Sequence, residues 1–161
     1  MAQQAQQDSA GVIARPIGRG RFQAEISVPG GTILADEPVE AGGEGSGPTP
    51  YELLSAAFAA CTAMTLKLYA ERKGWTLPPF SVEAVHSRGP AHDLFTRKII
   101  FEGALDAEQE AKLLEIADKC PVHRTLMRGF EIVTHVGVPG EHLTPEPPVS
   151  HGAQMEQALS D

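Results

Sequence analysis

The chain has 161 residues, of which 42% are hydrophobic and 21% charged, a composition that can bury a core without disulfide staples and that sets aside disordered, collagen-like and membrane classes. A net charge of −8 and a pI near 5.2 repel a phosphate backbone, and no basic run overrides them, so nucleic acid is not an expected partner. The start, MAQQAQQDSA, lacks the positive flank and apolar run of a secretory signal, and the apolar stretch Leu53 to Leu68 is broken by Ser55, Thr62, Thr65 and Lys67. A cytoplasmic protein that enters no membrane is expected.

Residues 1–10 are polar and read as a flexible tail. A short strand around Val12 to Ile17 precedes two more, RFQAEISV and GTILAD, joined by the turn Pro29-Gly30-Gly31. The glycine-rich EAGGEGSGPTP ends in a helix start, with Thr49 as N-cap, Pro50 at the first helical position and Glu52 where the reciprocal arm of a capping box belongs. A helix from about Tyr51 to Lys73 follows, stopped by Gly74; its apolar residues run almost all round, which predicts a central helix buried on several faces with Cys61 in its middle. FSVEAVHS and TRKIIFEG alternate as strands on either side of a turn at Gly89-Pro90. Asp106, with Gln109 three positions on, caps a second helix whose Leu113, Ile116, Ala117 and Cys120 share one inward face. FEIVTHVGV reads as a last strand, and residues 139–161 as a flexible C-terminal tail. The order of elements predicts an α+β fold, helices on one side of a mainly antiparallel sheet, in one domain over residues 11–138.

Two cysteines in a reducing compartment are seldom a staple, which leaves redox chemistry, metal ligation or inert burial. Pro121 disfavours helical dihedrals at Cys120 and suits the first position of a new turn, so Cys120 becomes the N-cap of PVHRTL. There the helix dipole, with Arg124 close in sequence, favours a thiolate. Inert burial is nonetheless the default for an isolated cysteine. CPVH is also a Cys-x-x-His half-site, but His86, His92, His135, His142 and His151 stand singly, without the second pair a structural zinc needs. The glycines of GGEGSGP lack the Lys-Ser/Thr pair of a phosphate-binding loop. Phe58, Met64, Leu126 and Met127 lie near the cysteines in sequence, where they can line an apolar site or simply pack.

GPTPYELLSAAFAACTAMTLKLYAERKGW, with a second cysteine 59 positions after the first in LLEIADKCPVHRTL, resembles the OsmC/Ohr family over roughly residues 11 to 138, specifically its OsmC-like branch. The resemblance implies a strongly curved, mainly antiparallel sheet wrapped around a long central helix, in an intertwined homodimer. It also implies thiol-dependent reduction of organic hydroperoxides without a cofactor, reset by an external dithiol such as a lipoyl group on a partner protein. Cys61 then matches the peroxidatic and Cys120 the resolving cysteine, and an arginine of the N-terminal hairpin region activates Cys61. Arg19 is the choice among Arg15, Arg19 and Arg21. Family members with high activity carry a glutamate ten residues before the first cysteine to orient that arginine; here Tyr51 stands there, and Glu52 is one step on, about 100° round a helix. Glu52 is thus a candidate both for catalysis and for capping. Helix-end physics makes Cys120 the more acidic thiol, whereas Cys61, mid-helix, needs a nearby cation. The alternative reading is a non-catalytic OsmC-like protein that binds an apolar ligand or senses redox state.

Overall fold

A computed structural model describes residues 11–141, 143 and 150–160; the tail expected over residues 1–10 lies outside the described residues. The chain divides into two compact units, Met1–Leu53 with Val133–Val149, and Leu54–Ile132 with Ser150–Asp161.

In the first unit, strands β1 (Ile13–Pro16), β2 (Ala24–Val28) and β3 (Gly31–Ala35) form an antiparallel sheet in that order, in the register Ile13↔Ser27 and Ala24↔Ala35. The β2–β3 turn uses Gly30 at φ 91°, a conformation that costs glycine nothing. The loop after β3 wraps around the Asp36 carboxylate, which is buried and accepts the N–H groups of Glu37 (2.9 Å), Glu44 (3.1 Å) and Ser46 (3.1 Å) and the Ser46 hydroxyl (2.7 Å). Burial raises its pKa, but the hydrogen bonds from Ser46, Glu37 and Glu44 outweigh it and hold the carboxyl below its ordinary value. The glycines are therefore more than punctuation: a Cβ at Gly43 would collide with the Glu37 carbonyl, and one at Gly47 with that of Leu34.

The loop ends in a capping box. The Thr49 hydroxyl accepts the Glu52 N–H at 3.2 Å and the Glu52 carboxylate accepts the Thr49 N–H at 2.7 Å, opening helix α1 (Pro50–Lys73).

In the second unit α1 buries Phe58, Cys61, Thr62, Thr65, Leu66, Tyr69 and Ala70, which recur every three or four residues along one stripe. Burial on several faces does not occur among the described residues: Leu54, Ala57, Ala60 and Met64 are exposed. By length and composition α1 could cross a membrane, yet its buried stripe belongs to a protein core.

Strands β4 (Phe80–Arg88) and β5 (Asp93–Phe101) pair antiparallel in the register Phe80↔Phe101, as a separate two-stranded sheet. Asp106 and Gln109 close a second capping box, with the Gln109 N–H donating to Asp106 at 2.7 Å, at the start of α2 (Ala107–Ala117). Leu66, Tyr69, Leu113, Ile116 and Ala117 form the core, flanked by Trp75, Phe80, Ile99, Phe101 and Leu159. Helix α3 (Pro121–Arg128) starts at Cys120 as N-cap with Pro121 at its first position.

Two expectations fail here. FEIVTHVGV forms no strand: residues 130–138 are irregular, with Phe130, Ile132, Val133, Val136 and Val138 exposed. Its alternation fits a strand, but an isolated one has no ladder to hold it, and no described strand pairs with it. The C-terminal tail, in turn, contains helix α4 (His151–Ala158), with the Ser150 hydroxyl accepting the Ala153 N–H at 3.4 Å, Ala158 buried and Leu159 packed on the core. Eight residues are too few to display a helical period, so only the Ser150 cap signalled it.

Candidate functional site

Cys61 projects from the buried stripe of α1, and the break at Pro121 turns the chain so that Cys120 meets it. The sulfurs are hydrogen-bonded to each other although 59 positions separate them, and both thiols are free, 2% and 0% exposed. Such a pair holds its first negative charge readily and its second with difficulty. The Cys61 S–H donated to Cys120 is the largest contribution to the acidity of Cys120. Burial opposes it, and the His123 N–H, the Thr62 hydroxyl and the Val122 N–H add to it, bringing Cys120 down to about 6. For Cys61 the same hydrogen bond, and then burial, push the pKa upward, against the Val122 N–H at 3.4 Å. Cys120 therefore carries the charge and Cys61 the proton, as helix-end reasoning anticipates. Cys61 does gain from a helix terminus after all, though that of α3 instead of its own.

Two residues join the site that sequence reasoning passed over. Arg97 alternates in phase with Phe95, Ile99 and Phe101 on the inward side of β5. Its Nη1 donates to the Thr62 hydroxyl (3.1 Å) and the Ala117 carbonyl (2.9 Å), its Nη2 to Asp118 (2.8 Å), and its guanidinium lies 5.0 Å from the centre of the Phe58 ring. It thereby clamps the residue next to Cys61 to the helix end three residues before Cys120, with a cation where the α2 carbonyls point. A charged residue in the apolar phase of a strand was the available signal. The second is His151, whose Nε2 lies 3.0 Å from the Cys61 sulfur. Nothing in the sequence spacing pointed to it.

Arg19 and Glu52 belong to the other unit. Arg19 and Arg21 are exposed in the turn between β1 and β2, Arg21 5.1 Å from the centre of the Phe22 ring, Arg15 is exposed on β1, and Glu52 serves the capping box. Of the apolar residues near the cysteines in sequence, Phe58 is buried and Leu126 half-buried, while Met64 and Met127 are exposed. His123 is half-buried, and burial lowers its pKa. Among the described residues no group of three or more His, Cys, Asp or Glu is arranged to hold a metal ion. A groove of about 420 Å³ lined by Ile99, Phe101, Leu105 and Leu113 includes neither sulfur.

Compared with known proteins, residues 43–135 match the OsmC-like protein family. No curated protein matches the chain. Solved structures do. A Psychrobacter arcticus 273-4 protein named for osmotic stress induction and detoxification response has a TM-score of 0.60 at 19% identity, over 70% of this chain and 85% of that one. An organic hydroperoxide resistance protein OsmC from Legionella pneumophila has 0.54 at 22%, over 74% and 90%. The organic hydroperoxide resistance protein OhrB of Bacillus subtilis has 0.53 at 21%, over 75% and 91%. At these identities the likeness is one of fold, mixed α and β with antiparallel sheets. The family match, by contrast, spans more than half of the sequence and contains both cysteine motifs, and the chain belongs to the OsmC-like protein family.

Proposed function

We propose that this protein is a cytoplasmic, thiol-dependent peroxidase that reduces organic hydroperoxides to alcohols. The observation that carries the reading is that two buried free thiols remote in sequence meet at the start of α3, where Cys120 is the N-cap and the Val122 N–H reaches the Cys61 sulfur at 3.4 Å. The Cys61 sulfur attacks the distal peroxide oxygen, the O–O bond breaks, and an alcohol leaves behind a sulfenic acid. The Cys120 thiolate then attacks that sulfur and expels hydroxide, giving a disulfide. An external dithiol, such as a lipoyl group on a partner protein, reduces it. The acidity of Cys120 suits the second step, which needs a thiolate at neutral pH. Names carried by structural neighbours, organic hydroperoxide resistance among them, support the same chemistry.

Arg19 is the proposed cation for the hydroperoxide site, and Glu52, engaged with Thr49, fixes the start of α1. A homodimer is part of the proposal: the exposed apolar side of α1 and the unpaired, alternating residues 130–138 are surfaces a second copy can cover. Consumption of cumene hydroperoxide with a dithiol, abolished in Cys61→Ser, is the expected result. One equivalent of hydroperoxide should remove two hydrogens and leave a peptide crosslink between Cys61 and Cys120. No consumption with any dithiol overturns the reading. One observation favours a second reading, a non-catalytic protein that binds an apolar ligand: Tyr51 occupies the position of the family's glutamate, and its neighbour Glu52 is held by the cap. The same assay separates the two.

A further inference from the structure

The proposed cycle needs a group that frees Cys61 of its proton, since the hydrogen bond between the sulfurs leaves the charge on Cys120. Among the described residues, a side chain besides Cys120 reaches the Cys61 sulfur from outside α1 and α3: His151, with Nε2 at 3.0 Å. It lies beyond the matched residues 43–135, on a helix with several anchors. The Ser150 hydroxyl caps the start of α4, Glu156 pairs with Arg72 of α1, Ala158 is buried and Leu159 packs against the core. The imidazole is itself half-buried. The Val122 N–H reaches the same sulfur at 3.4 Å, so Cys61 lies between an imidazole nitrogen and a backbone donor. Both contacts come from the first turn of a helix, where partial positive charge favours a thiolate.

We propose that His151 is a catalytic residue: its Nε2 takes the Cys61 thiol proton and passes it to the oxygen that leaves the hydroperoxide. Its second half rests on the peroxidase reading; the first does not. In the full step a Cys61 S–O bond forms and the peroxide O–O bond breaks. The sulfur is oxidised by two electrons, the hydroperoxide is reduced, and the proton moves from sulfur to Nε2 to the alkoxide, so thiol and hydroperoxide become sulfenic acid and alcohol. A histidine that only packed would contribute to the stability of α4 without choosing which sulfur is charged. The other ionisable groups on the elements around it are Tyr51, Glu52, Lys67, Tyr69, Glu71, Arg72 and Lys73 of α1, Cys120 before α3, His123, Arg124 and Arg128 of α3, and Glu156 of α4, of which Arg72 pairs with Glu156.

The test uses the full chain with Cys120→Ala, so that Cys61 is the sole thiol, and follows the ultraviolet absorbance of thiolate against pH. His151→Gln keeps the size and a hydrogen bond but neither binds nor releases the proton. It should reduce the Cys61 thiolate fraction at neutral pH by about tenfold or more, and the rate of cumene hydroperoxide consumption in a single turnover in parallel. His151→Lys, which restores a cation, should recover part of the thiolate. An unchanged titration in His151→Gln, or an equal loss in His151→Lys, overturns the assignment. The titration involves no hydroperoxide, so an intact protein that titrates as expected but consumes none overturns the peroxidase reading and leaves His151 as the base for Cys61.

Discussion

Cys61→Ala removes the S–H donor that contributes most to the acidity of Cys120, and the consequence can be worked through in numbers. In the reduced wild type one thiol titrates at about 6 in place of 9.0. At pH 7 such a thiol is roughly nine-tenths thiolate, against about one-hundredth at the ordinary value. In Cys61→Ala the Val122 and His123 N–H groups and the Thr62 hydroxyl remain while burial still opposes them, so the midpoint should move up from about 6. Thiolate absorbance against pH reads this directly. Stability follows with a definite sign. Between about 6 and 9.0 the folded pair holds fewer protons than the unfolded chain, so stability rises with pH, by at most about 4 kcal/mol. Above 9.0 the sense reverses, because Cys61, raised in the folded state, keeps a proton the unfolded chain gives up. Urea unfolding under reducing conditions should therefore place maximum stability near pH 9, and Cys120→Ala should flatten the rise toward it. Two thiols titrating together near their ordinary value, or stability flat across that window, would refute the shared-proton account.

Arg97→Met removes one of the two donors to the Ala117 carbonyl, which keeps the Cys120 N–H at 3.3 Å, at about 0.5–1.5 kcal/mol, and loses the contact with Phe58, about 0.5–2 kcal/mol; urea unfolding should show the loss and oxidation to the disulfide should slow. Leu66, 0% exposed in the core, should cost about 3–5 kcal/mol as Leu66→Ala in the same measurement. Asp36, held below its ordinary value of 3.8, contributes stability above that pH and loses it as pH falls through the lower folded value. Asp36→Asn should therefore be less stable at neutral pH and show a weaker acid dependence below 3.8 when unfolding is followed by circular dichroism. If Arg19 is the cation of the proposed reaction, Arg19→Ala should lower hydroperoxide turnover about tenfold with no change in thermal unfolding.

What the sequence made legible was local. Thr49, Pro50 and Glu52 fall within one turn, as do Asp106 and Gln109, so each capping box can be read without knowing the fold. The helix break at Cys120-Pro121 is equally local, but the acidity of Cys120 is so only in part, since the Cys61 S–H that contributes most to it lies 59 positions away. The rest depended on partners far along the chain. Arg97 makes its contacts with residues 20 and 35 positions away, and His151 reaches Cys61 across 90. A histidine standing singly in sequence tells nothing of what it meets in space. Residues 130–138 fail for the converse reason: alternation describes a strand's faces, but only hydrogen-bonding neighbours make a strand.

The remaining tension is between acidity and attack: local physics makes Cys120 the thiolate, while family resemblance gives the first reaction to Cys61. They are compatible because acidity and nucleophilicity diverge among thiols. A low pKa enlarges the thiolate fraction but weakens each thiolate, so a Cys61 freed of its proton attacks harder than Cys120 does. A low pKa also makes a better leaving group. In the proposed cycle a reducing dithiol should attack the disulfide at Cys61 and expel Cys120, whose charge returns to the N–H groups of Val122 and His123. Treated with one equivalent of hydroperoxide and then a monothiol, Cys120→Ser should form a mixed disulfide on Cys61, whereas Cys61→Ser should form none on Cys120. In that cycle the acidity of Cys120, drawn chiefly from the Cys61 S–H with help from the N–H groups at the start of α3, would make it the weaker first nucleophile and the better leaving group, so the two sulfurs would divide the steps between them.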